Sequence, residues 1–135
     1  MHWVFALLRW RDGAGNGRRQ VPLDDFLALV GQALQMDATH RLPSAVLKVQ
    51  MEPTTVQASA RVGELLKRHL PATALTTVLP ETGAHVALLP FSGQMECEHL
   101  YRNIQSSGEG LRCSLYLTSG TTDAVQFWAR VVETH

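Results

Sequence analysis

The chain has 135 residues, 45% of them hydrophobic and 18% charged, which suits one domain with a single core and is not the profile of a disordered chain. Twelve basic and twelve acidic side chains cancel, and no basic run exceeds Arg18-Arg19 or Lys67-Arg68, so no nucleic-acid footprint is present. Cys97 and Cys113 supply neither a disulfide framework nor a paired metal spacing and read as reduced thiols of a cytoplasmic protein.

Residues 2–10, HWVFALLRW, read as a strand apolar on both faces. Arg9 and Arg11 close the apolar run, and it has neither a basic leader nor a small-residue cleavage site. The expectation is a cytoplasmic chain with no membrane insertion. The segment DGAGNGRRQ (12–20) reads as a glycine-rich loop, so residues 1–20 form an addition to one domain spanning 1–135. From Pro22 the pattern turns helical, with Leu23, Phe26, Leu27, Val30 and Leu34 on one stripe and Asp24 and Asp25 in the first turn.

SAVLKVQM (44–51) is the next strand; Pro53 ends it, and Thr54 or Thr55 caps a helix to about residue 70. On that helix Val62, Leu65, Leu66 and His69 share a face with Ala58, and His69 suits the helix C-terminus. Residues 73–79 and 85–91 form a hairpin around Pro80-Glu81-Thr82-Gly83. A third helix, about 94–106, places Cys97, Leu100, Tyr101 and Ile104 on one stripe. LRCSLYL (111–117) alternates, with Leu111, Cys113, Leu115 and Leu117 inward and Arg112, Ser114 and Tyr116 outward. The last helix, about 121–133, presents Ala124, Trp128, Val131 and Val132. The predicted class is α+β, with helices packed on a mainly antiparallel sheet. Without the first strand and helix the order is βαββαβ, the ferredoxin-like arrangement.

From about residue 21 to 133 the chain resembles a GGDEF domain, the diguanylate cyclase module of bacterial signalling. The likeness lies in RVGELLKRHLPATALTTVLPETGAHVALLP, which is similar to the family's helix and signature hairpin. It continues in QMECEHLYRNIQ and LRCSLYLTSG, similar to its next helix and strand. The resemblance implies a nucleotidyl-cyclase-like fold, and it places the signature on Glu81-Thr82-Gly83-Ala84-His85. Glu81 stands where the first glycine belongs, and Gly83 and Ala84 where the acidic pair belongs. The second metal carboxylate falls on Lys48 or Gln50, with Glu52 displaced. Ala72 and Leu75 replace the Arg and Asp of the product-inhibition site, and Glu52-Pro53-Thr54 leaves no room for the guanine loop. Divalent-metal phosphoryl transfer needs those carboxylates. The implied protein is a regulatory or scaffold module without catalytic residues, in a cyclic-di-GMP-linked or envelope/secretion assembly; cyclic di-GMP itself is not expected to bind.

Other constellations are weaker. Gly13, Gly15 and Gly17 stand too far ahead of Pro22 for a phosphate cradle, and the histidines at 2, 40, 69, 85, 99 and 135 match no zinc spacing. No metal or other cofactor is expected. Trp3, Phe5 and Trp10 belong either to the core or, because aromatic residues are enriched at hot spots, to a surface for a homodimer or hetero-complex partner. Arg18, Arg19 and Arg61 are the possible ligand contacts of an alternative, a nucleotide or cyclic-di-GMP sensor with a degraded pocket. An unrelated ferredoxin-like binding domain is the other alternative.

Overall fold

The computed structural model describes residues 19–52, 55–108, 110–119 and 123–133. The strand expected at 2–10, with Trp3, Phe5 and Trp10, and the loop residue Arg18 lie outside them; of Arg19 only the backbone is described. Among the described residues the elements run β1 (Arg19–Gln20), α1 (Leu23–His40), β2 (Ala45–Met51), α2 (Val56–His69) and β3 (Leu75–Val78). They continue as β4 (His85–Leu89), α3 (Gln94–Gln105), β5 (Leu111–Leu117) and α4 (Ala124–Glu133).

Each helix begins and ends for a local reason. Pro22 precedes α1 and Asp24 and Asp25 occupy its first turn; Arg41, at φ 54°, closes it by donating its N–H to Asp37 O. Of the two threonines expected to cap α2, Thr55 does so, its hydroxyl accepting from Ala58 N at 3.0 Å. Asp123 Oδ1 accepts from Val125 N at 2.9 Å and Gln126 N at 3.2 Å at the start of α4.

The sheet order is β1-β3-β4-β2-β5, antiparallel throughout except for the short β1–β3 pair. The chain is therefore α+β, with β2 in the interior of the sheet, between the hairpin strand β4 and the edge strand β5. Helices cover both faces. On one side α1 and α4 pack Phe26, Val30, Leu34, Phe127 and Val131 over Val46, Val86, Leu88 and Tyr116. On the other, α2 and α3 pack Val62, Leu66, Cys97 and Ile104 over Leu47, Val49, Ala87 and Leu89. A central strand covered twice has no solvent side, which is why VLKV and VALL are nearly continuous apolar runs.

Three local expectations change. Tyr116 faces inward, edge-on to Phe127 at 6.4 Å, because the face opposite Leu115 and Leu117 is also roofed. On α4 the buried pair is Phe127 and Val131, whereas Ala124 is exposed and Trp128 is half-buried against Phe26. Arg19–Gln20, expected in the loop, pairs in parallel with Leu75 and Thr76.

The two-sided burial puts a lysine inside the molecule. Lys48, midway along β2 and 5% exposed, donates from Nζ to Val131 O at 2.7 Å and Val132 O at 3.4 Å. These carbonyls belong to the last turn of α4, where helix geometry leaves acceptors unmatched and the dipole is negative. Burial holds the Lys48 ammonium below the ordinary lysine value. Replacing Lys48 with Met keeps most of the stem and strands the carbonyls. The expected cost is about 1–3 kcal/mol, read as a lower urea midpoint at unchanged slope; an unchanged or raised midpoint counts against the cap.

Candidate functional site

The hairpin end is where the sequence placed its question. The turn closes through Leu79 N to Ala84 O and Gly83 N to Leu79 O, each 2.8 Å. Gly83 sits at φ 73°, a left-handed conformation that glycine adopts without strain. The Thr82 hydroxyl accepts from Ala84 N at 3.3 Å, and Gln50, near the end of β2, reaches across with Nε2 3.5 Å from Thr82 O. One residue past the turn, His85 Nε2 lies 2.9 Å from Ser59 Oγ on the first turns of α2. The sheet register thus brings Gln50, Thr82, His85 and Ser59 to one end of the molecule.

Their chemistry can be compared with what divalent-metal catalysis demands. Magnesium or calcium takes carboxylate and carbonyl oxygens. This end offers an amide, two hydroxyls and an imidazole, with the Lys48 ammonium deeper along β2. Glu52 points to Arg112 at 4.0 Å, a surface pair with both side chains at least half exposed and of little energetic weight. Glu81 is exposed and lines a different cleft. The donor set does not fit a catalytic cation, and among the described residues no three His, Cys, Asp or Glu side chains gather in metal-binding proximity. Ser59 and His85 have the spacing of a nucleophile and its base, but His85 is half-buried between the hairpin and α2, and the pair ties those two elements together.

Two open clefts flank this end. One, of about 400 Å³, lies between the hairpin turn and α4 and is lined by Leu79, Pro80, Glu81, Val125, Trp128 and Val132, among others. Val125 is 79% exposed at its rim. The other, of about 620 Å³, runs along the outer stripe of α2 to the α3–β5 turn and contains Arg61 and Arg68. Arg19 lies instead on β1, at the β3 edge of the sheet. The expected ligand contacts are therefore not drawn from one element: Arg61 lines a cleft whose second arginine, Arg68, the sequence reading did not single out. His69 reaches out of its helix to Ser107 Oγ at 3.1 Å, and the α2 terminus is closed by Leu70 N–H to Leu66 O.

The thiols are poorly placed for chemistry. Burial pushes Cys97 and Cys113 up to about 11, with Glu96 and Glu98 adding to the effect at Cys97. The Ser59–His85 pair and the Lys48 cap escaped sequence reading because each joins residues far apart in the chain. The signal available was a polar residue inside an otherwise apolar strand. Among the described residues no helix is long and apolar enough to cross a membrane. Compared with family models, with curated proteins and with solved structures, the chain matches none.

Burial holds His85 below the ordinary imidazole value, against the opposing hydrogen bond that the imidazole makes to the Ser59 backbone. The folded state then binds this proton less readily than the unfolded chain. Stability from His85 is present above the unfolded value of about 6.5 and is lost as pH falls from there toward the folded value. Wild type should therefore lose more thermal stability between pH 7.5 and pH 5 than His85→Gln; parallel melting curves for the two would show that His85 is not the titrating group.

Proposed function

We propose that the chain is a non-catalytic GGDEF-like module that acts by protein–protein contact, as a regulator or scaffold in a bacterial cyclic-di-GMP-linked or envelope/secretion assembly. The observation that carries the proposal is what stands at the hairpin end. The strand that would end in a metal carboxylate instead sends an ammonium into the C-terminus of α4 and an amide to the hairpin turn. The acidic pair is replaced by Gly83, which makes the bend, and Ala84, which is buried. Positions that would hold a cation and phosphate are used to bind hairpin, β2 and helices to one another.

The order β3-β4-β2-β5 supports a ferredoxin-like, cyclase-like reading of the βαββαβ core, since the hairpin strand lies directly beside the strand that would supply the second carboxylate. For contact with a partner, the cleft between hairpin turn and α4 offers an aromatic side chain, Trp128, with Val125 and Val132 around it and acidic Glu81 and Glu133 at its margin. An apolar centre with a charged rim is the composition of a protein interface.

Calorimetric titration with GTP and with cyclic di-GMP should give no heat at micromolar ligand; heat with either would replace this proposal with the sensor. Val125→Glu should leave the melting temperature unchanged and abolish reciprocal co-purification with the partner that wild type retains. Undiminished capture by the variant would remove the α4 cleft from the proposal.

A further inference from the structure

We propose that the groove along α2 is a binding site for an organic anion with a flat apolar body, such as an aromatic sulfonate or carboxylate. The site uses none of the hairpin residues and stands independently of the GGDEF-like proposal. At about 620 Å³ it has the size of a small-molecule pocket, which for drug-sized ligands is roughly 300–1,000 Å³. Its floor is apolar, built from Met51 at the end of β2 and Leu65 on α2. Its far wall is the α3–β5 turn. There Ser107 is fixed by donating to Asn103 O at 2.6 Å and by its contact with His69 Nε2.

The charge in this groove selects the ligand class. Arg61 and Arg68 stand seven residues apart on one helix, hence on one face and separated by two turns, roughly 10 Å. Leu65 lies between them. Neither guanidinium makes a hydrogen bond or ion pair among the described residues. The lining holds one carboxylate, Glu64, which pairs at the surface with Lys67 at 3.8 Å, so two arginines face one acid and the groove is net positive. A guanidinium presents a planar fork of donors suited to carboxylate or sulfonate and also stacks on aromatic rings. Apolar floor and paired arginines therefore ask for the same molecule: rings on Leu65 and Met51, anionic group on Arg61 or Arg68. The cleft beside α4 is the internal contrast, because Glu81 and Glu133 at its margin repel such a ligand.

The test titrates the full chain with 8-anilino-1-naphthalenesulfonate and, in parallel, with N-phenyl-1-naphthylamine, which has the same rings without the sulfonate. Arg61→Gln/Arg68→Gln should weaken sulfonate binding by about tenfold while leaving the melting temperature and the neutral dye unaffected. Amide-resonance shifts caused by the sulfonate should centre on residues 60–68 and 107–108. Unchanged sulfonate affinity in the double variant, or loss of the sulfonate signal in Val125→Glu instead, would overturn the site. Equal affinity of wild type for the two dyes would overturn the anion.

Discussion

A cation inside a two-sided sheet governs much of this structure. Lys48 occupies an interior strand at a position whose neighbours Leu47 and Val49 are buried. An ammonium taken out of water costs several kcal/mol unless its protons are met. The carbonyls of Val131 and Val132 meet it, and they exist because α4 ends directly over β2. The lysine needs a helix terminus there, and the terminus needs a donor. Neither requirement is satisfied by a helix displaced along the sheet, so the pair ties the last described turn of α4 to β2. With Asp123 capping the other end, α4 is set from both termini while Phe127 and Val131 seat its apolar face.

The opposite end of the sheet is tied by a second polar group, this one without a cation. Ser44 N–H donates to Thr118 Oγ1 at 3.0 Å, and the Thr118 hydroxyl lies 2.6 Å from Asp37 Oδ2. Phe91 N–H donates to Ser44 Oγ. The last turn of α1, the start of β2, the exit of β4 and the end of β5 thus meet at fully satisfied groups, which is the condition under which buried polarity specifies one arrangement rather than weakening it. Between these two knots the strands are free to be almost entirely apolar.

That arrangement explains what could be read in the sequence and what could not. The helices were legible because their stripes repeat at helical spacing: of the residues that spacing selects on α1 and α3, Phe26, Val30, Leu34, Cys97 and Ile104 are buried, and Leu23, Leu27, Leu100 and Tyr101 are half-buried. The hairpin was legible because Pro80 and Gly83 bracket a turn. β5 was misread at Tyr116, where alternation suggested an open face; a large aromatic at a formally outward position was the local sign that the face is roofed. Ser59 and His85 were beyond sequence reasoning, since their meeting depends on how α2 lies across the start of β4. The same is true of the α2 groove. Arg61 and Arg68 are visibly on one stripe, but whether that stripe faces solvent or an opposing wall depends on the α3–β5 turn.

The hairpin TVLPETGAHVALLP divides its structural burden unevenly between strands and turn. Its strands contribute to both cores at once: Val86 and Leu88 toward α1 and α4, Ala87 and Leu89 toward α2 and α3. Removing any of them opens a cavity on one side of the sheet. The turn residues carry no comparable burden, because Glu81 is exposed and Gly83 is needed only for its backbone. Residues at the turn can therefore change with little effect on stability, whereas the strands flanking it cannot. The burden of the hairpin therefore lies in its strands rather than its turn, and a buried lysine midway along an interior strand is tolerated because a helix terminus is there to receive it.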